Sequence, residues 1–149
     1  MKISILVVGK EKDFSAYEVV QDYSNRIEHH VPIEWIYIPT STKDEEEKKI
    51  LKTLDSHVSG SYIIALDELG KEFSSVKFSE FIQARMNSGI RSLVFIIGGS
   101  YGLTNEIRSR AQTTMALSML TFPHQLVRLI LAEQLYRAFT ILKGEKYHH

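Results

Sequence analysis

Four apolar runs rich in β-branched residues punctuate the chain, at positions 3–8, 33–38, 62–66 and 93–97. Their starts fall about 30 residues apart, the length of a strand, a crossover helix and the return to a parallel strand. Helical spacing fills the gaps. Phe14, Tyr17, Val20, Tyr23 and Ile27 recur at intervals of three and four. Ile50, Leu51, Leu54 and Val58 follow an acidic first turn, and Phe78, Phe81, Ile82 and Met86 follow Ser74 and Ser75 and stop at Gly89. Each pattern predicts an amphipathic helix. Beyond the fourth run the rhythm shortens to a brief helix over 104–112, a weak strand over 115–119, the break TFPHQ and a long helix over 124–142 that Gly144 ends. The alternation predicts one α/β domain over 1–149, a mostly parallel sheet with helices on both faces.

Two segments depart from a simple half-buried pattern. Ser41 and Thr42 precede Asp44, Glu45, Glu46 and Glu47. Acids in that position suit the positive end of the helix dipole, and the run is expected to be a solvated face without further function. In the last helix Leu126, Val127, Leu129, Ile130, Leu131, Leu135, Tyr136, Phe139, Ile141 and Leu142 cover most of the circumference. That needs burial on two sides. A central core helix would satisfy it, but in a chain this small a subunit interface is the favoured expectation.

Composition narrows the function classes. With 149 residues, 44% hydrophobic and 24% charged, the chain has the make-up of a folded globular protein. It has no cysteine, which excludes disulfides, thiolate metal sites and cysteine nucleophiles. No apolar stretch approaches the roughly 18 residues of a membrane span, and the start MKISILVVGKEKD is too short for a secretory signal, so a cytoplasmic location is expected. The zero net charge hides an asymmetry: residues 1–70 carry 8 Lys and Arg against 13 Asp and Glu, and residues 71–149 carry 10 against 5. A basic second half suits a polyanion as well as it suits scattered solvated charge.

In an open α/β sheet, ligands gather beyond the carboxyl ends of the strands. Here those ends read VGK, LDELG, GGSYG and SMLTFP. GGSYG lacks the spacing of a dinucleotide fingerprint and the Lys-Ser/Thr close of a phosphate loop. Taken alone, it is as well explained by a tight corner as by a ligand loop. None of the six histidines stands in an H-x-x-x-H or H-E-x-x-H frame, so no metal site is expected. Glu133 and Arg137 can pair along the last helix, while Arg128 points roughly opposite to Arg137.

KISILVVGK, LDELGK, FIIGGSYGL, LSMLTFPHQLVRLILAEQLYRA and a closing YH, in this order and at these intervals, together resemble the RlmH family of SPOUT-superfamily methyltransferases across essentially the whole chain. The resemblance implies a single SPOUT domain with a C-terminal trefoil knot, working as a homodimer. It implies S-adenosylmethionine as cofactor and methylation of N3 of a pseudouridine in large-subunit (23S) ribosomal RNA on the assembled ribosome. The alternative is a catalytically silent flavodoxin-like module that binds RNA or the ribosome. Carried over by position, the cofactor pocket comprises Leu66, Gly98, Gly99, Leu117, Ser118, Met119, Leu120, Thr121 and Phe122. His124, Arg128, Tyr147 and His148 are placed on the RNA-facing side, with Arg128 or Arg137 for a phosphate and His148 for orienting the base or helping to remove its proton. The family usually carries a basic residue after YH, where this chain has His149.

Overall fold

The computed structural model describes residues 1–12, 15–57 and 59–149; Phe14 and Val58 lie outside the described residues. Among the described residues five strands and five helices alternate. They are β1 (Lys2–Val8), α1 (Tyr17–Glu28), β2 (Ile33–Ile38), α2 (Lys43–Asp55), β3 (Ser61–Glu72), α3 (Ser75–Asn87), β4 (Ser92–Ile97), α4 (Asn105–Arg110), β5 (Thr113–Ala116) and α5 (His124–Lys143). The strands form one fully parallel sheet in the order β2-β1-β4-β3-β5.

Period-two patterning sends alternate residues into two cores. Ile3, Ile5 and Val7 of β1 join Phe95 and Ile97 of β4 under Ile27 of α1, Phe78 and Ile82 of α3, and Leu131, Leu135 and Phe139 of α5. Leu6 and Val8 face the other way, with Val94 and Ile96, under Ile50 and Leu54 of α2 and Ile107 of α4. The sheet is therefore clothed on both faces, as near-continuous apolar strands require.

Three differences from the sequence reading matter. First, α5 lies among α1, α3 and the sheet, and Leu131, Ala132, Leu135 and Ala138 are fully buried within the one chain. One side of the helix is thus taken up by the core, while Leu126 stays exposed and Leu129, Ile130 and Ile141 are only partly covered. Second, Glu46 is buried within the acidic run, where Oε2 accepts a hydrogen bond from the Ser41 backbone N–H at 2.9 Å while Thr42 caps the Glu45 N–H. Third, the last strand ends at Ala116, so residues 117–119 are loop.

β3 outruns its apolar segment. Leu66 and Lys71 both pair with Met115 of β5, and residues 67–70 bulge out between them. Gly70 permits the return: a β-carbon there would sit 2.6 Å from the Thr114 backbone, closer than any side chain tolerates.

Candidate functional site

A cavity of about 470 Å³ opens beyond the carboxyl ends of β3, β4 and β5, within the size range of small-molecule sites. Its first wall is the end of β3 with its bulge, contributing Leu66, Asp67 and Glu68. The second is the loop after β4, including Gly98, Gly99 and Tyr101. The third is the segment after β5, with Leu117, Ser118, Leu120, Thr121 and Phe122, and His124 and Val127 from the first turn of α5 close it. Of the nine residues carried over as cofactor contacts, eight line this space. Met119 does not; it is 79% exposed on the outer side of its loop.

Hydrogen bonds hold the walls in register. Gly102 N–H bonds to the Gly99 carbonyl at 3.0 Å and has φ +68°, closing the GGSYG corner. A β-carbon on Gly98 would lie 2.9 Å from the Gly102 backbone, and one on Gly99 would lie 2.9 Å from Val8 Cγ1. Both glycines are therefore demanded by the corner's own packing. Corner and cavity wall are the same object: the backbone can line the cavity because it folds this tightly.

Arg108 ties the first two walls together. Its guanidinium meets Asp67 Oδ2 at 3.1 Å, the Leu103 carbonyl, and Asn105 Oδ1 at 2.5 Å. Asp67 Oδ1 in turn accepts from the Leu69 N–H at 2.9 Å, which shapes the bulge. The third wall is fixed by Ser118 Oγ accepting from Leu120 N–H at 3.0 Å and by the Thr121 hydroxyl donating to Glu68 at 3.1 Å. Asp67, Glu68 and Arg108 were absent from the sequence-derived site. The LDELG strand end was visible, but nothing in its spacing says that β3 leaves the ladder there.

The four residues expected to face RNA fall in three places. His124 lines the cavity. Arg128, one turn further along α5, is 1% exposed; it donates to the Lys10 carbonyl at 2.8 Å and lies 5.7 Å from the centroid of Tyr37. It packs so closely beneath the main chain that a β-carbon on Gly9, at φ +130°, would lie 2.5 Å from its nitrogen. Burial pushes the Tyr37 phenol up to about 12, reinforced by Glu11 and opposed by Arg128.

Tyr147 and His148 sit away from the cavity, on the outer face of α1 and α5. Glu133 Oε1 accepts from Arg137 Nε at 2.9 Å and from the Tyr147 hydroxyl at 3.1 Å, while Arg137 reaches His148 Nδ1 at 3.0 Å and stacks 4.9 Å from the Tyr147 ring centroid. Tyr23 closes the network, 3.4 Å from the Tyr147 oxygen. Burial, with the hydrogen bond shared with Tyr23 and the one donated to Glu133, holds the Tyr147 phenol protonated well above its ordinary range. The bond to Glu133 likewise raises Arg137, which stays charged. Among the described residues no group of three or more His, Asp or Glu could hold a metal ion.

Comparison with known proteins places this geometry. The family described as "Predicted SPOUT methyltransferase" matches residues 1–148. A protein of Christiangramia forsetii named ribosomal RNA large subunit methyltransferase H is 43% identical over 100% of this chain and 99% of its own length. One of the same name from Trichlorobacter lovleyi is 45% identical over the whole of both. Among solved structures, a probable methylase family protein from Haemophilus influenzae superposes with a TM-score of 0.58 at 14% identity, over 99% of this chain and 70% of that one. A SpoU methyltransferase from Streptomyces viridochromogenes, solved with AdoMet, gives 0.53 at 10% identity, over 97% of this chain and 59% of that one. With its parallel sheet, its loop-walled cavity and a family match running almost end to end, this chain belongs to the SPOUT methyltransferase family.

Proposed function

We propose that the protein uses S-adenosylmethionine to methylate N3 of a pseudouridine in 23S ribosomal RNA on the assembled ribosome. The observation that carries this reading is the cavity itself: three strand-end loops converge on one space in a chain of this family. Its lining fits the cofactor. Leu66, Leu117 and Val127 offer apolar surface to a purine, Gly98 and Gly99 bring main chain to the wall, and Asp67 and Glu68 suit a cation. No lysine or arginine is among the described lining residues, which argues against a phosphorylated nucleotide.

When bound, the cofactor supplies an electrophilic methyl group on a positively charged sulfur. The protein's share is to align donor and acceptor, exclude water and manage the N3 proton. His124 is the imidazole among the described lining residues, placed to hydrogen-bond a base that reaches the cavity. Tyr147 keeps its own proton and is suited to donate a hydrogen bond rather than to act as a base.

The working unit in this reading is a cytoplasmic homodimer of single SPOUT domains, each with the C-terminal trefoil. Arg137, which holds His148, lies thirteen residues along α5 from His124, roughly 20 Å by helical rise. A second copy would bring its Tyr147–His148 network to this chain's cavity. Exposed apolar side chains around the cavity mouth support such docking: Leu69 is 89% exposed and Leu120 71%, with Tyr101, Met119 and Leu126 beside them. No helix among the described residues is long and apolar enough to cross a membrane.

The separation of His148 from the cavity also favours a second reading, a silent module that binds RNA or the ribosome without turnover. Calorimetry with S-adenosylmethionine, together with transfer of a labelled methyl group to ribosomes lacking this modification, separates them. Binding with transfer is expected; binding without transfer would replace the enzyme with the silent module, and no binding would sink the reading of the cavity.

A further inference from the structure

We propose that Glu68 makes the cavity selective for charge, favouring the cationic donor over its demethylated product. The inference rests on the reading of the cavity as the S-adenosylmethionine site. Two carboxylates line the space, and they are not equivalent. Asp67 is largely buried and ion-paired to Arg108 at 3.1 Å, so its charge is offset where it stands. Glu68 has no cationic partner among the described residues. Its carboxylate accepts one hydrogen bond, from the neutral Thr121 hydroxyl at 3.1 Å, and that bond bridges the first and third walls across the cavity. With His124 the one basic side chain among the described lining residues, the uncompensated charge of the wall is that of Glu68.

The donor and its product share the adenosyl group, the ammonium and the carboxylate. They differ by one methyl group and by the positive charge on sulfur, so donor and product carry net charges of about +1 and 0. Shape gives a cavity little purchase on that difference, since a single methyl group is a weak discriminator. A fixed carboxylate acts on that charge, while its effect on the ammonium and carboxylate is common to both ligands and cancels in the comparison. The Thr121 bond supplies the fixation: without it, an exposed glutamate would spread over many rotamers and its field would be screened. Product is then released from a wall that no longer attracts it, which favours exchange for fresh donor.

The test is calorimetric titration of the full chain with S-adenosylmethionine, S-adenosylhomocysteine and sinefungin, whose amine carries a positive charge in place of the sulfonium. Glu68→Gln preserves the acceptor for Thr121 and removes the charge. It should weaken S-adenosylmethionine and sinefungin by roughly threefold to tenfold and leave S-adenosylhomocysteine unchanged. Thr121→Val should do the same to a smaller extent. In the unaltered protein the preference for the charged ligands should shrink as salt rises, and in Glu68→Gln it should be nearly flat. Equal weakening of all three ligands would overturn the proposal in favour of simple wall packing, and an unchanged ratio would overturn it outright. If the unaltered protein bound none of the three, the identification of the cavity would fall, and this inference with it.

Discussion

The two ends of α5 serve different kinds of site. At the N-terminal end, His124 and Val127 complete a cavity whose walls are mostly loops held by main-chain contacts. Towards the C-terminal end Glu133, Arg137, Tyr147, His148 and Tyr23 form a network of side chains locked to one another. The first end is organised by shape and the second by charge and hydrogen bonding. In the proposed reading the difference is a division of labour: a small ligand would be held where backbone can enclose it, and an RNA base would be met by pre-positioned side chains. One helix keeps the two roughly 20 Å apart, which is why the proposal calls on a second copy to bring them together.

The largest expected effect comes from the cavity end. In Gly98→Val the β-carbon would press on the Gly102 backbone. Overpacking of this kind costs about 1–3 kcal/mol, and binding of S-adenosylmethionine should disappear together with a fall in melting temperature. Retained binding would show that the corner is not a wall of the site. Arg137→Ala comes next. It strips Glu133 and His148 of a partner, should cost about 1–3 kcal/mol, and should cut methyl transfer by at least an order of magnitude. The affinity for S-adenosylmethionine, measured calorimetrically, should stay within about twofold; a large loss there would erase the distinction between the two ends.

Mixing those two variants sharpens the comparison further. If the ends of neighbouring copies work together, half the reassorted dimers carry one intact combination, and about a quarter of the original activity should return. No recovery after demonstrated subunit exchange would place both functions in the same chain. The smallest effect concerns the second turn of α5, where Tyr37 lies against Arg128. Its raised pKa, about 12, means the folded state holds the phenol proton longer than the unfolded chain does. The resulting stability is complete below the ordinary value near 10 and is lost as pH rises through about 12. Chemical denaturation across that window should show a shallower decline in Tyr37→Phe than in the original protein; parallel curves would rule this contribution out.

Much of the fold was legible in the sequence because each layer obeys a local period. The run at 33–38 coincides with β2, and Gly144 ends α5 with φ +70°. What escaped was set by long-range pairing. Nothing within LDELGK announces that Leu66 and Lys71 will meet the same residue, so the bulge carrying Asp67 and Glu68 looked like an ordinary strand end. The same ladder fixes the end of β5 at Ala116, three residues before the apolar pattern stops. α5 is a related case: an all-round apolar helix states how much surface must be covered, while the cover of its buried side comes from α1 and α3, far away in sequence. Eight cavity residues came from the family resemblance, and Arg128 shows its limit, since position on a motif does not reveal whether a guanidinium reaches solvent or disappears beneath Gly9.

A strand that departs from its neighbour and rejoins it at the same partner, as β3 does at Met115, carries its excursion as a detachable module. Residues 68 and 69 can change in character while the core on either side keeps its register, provided Asp67 still meets Arg108 and Gly70 still lets the chain back in. Ligand preference can therefore drift, or be engineered, in this short arc without a renegotiation of the scaffold beneath it.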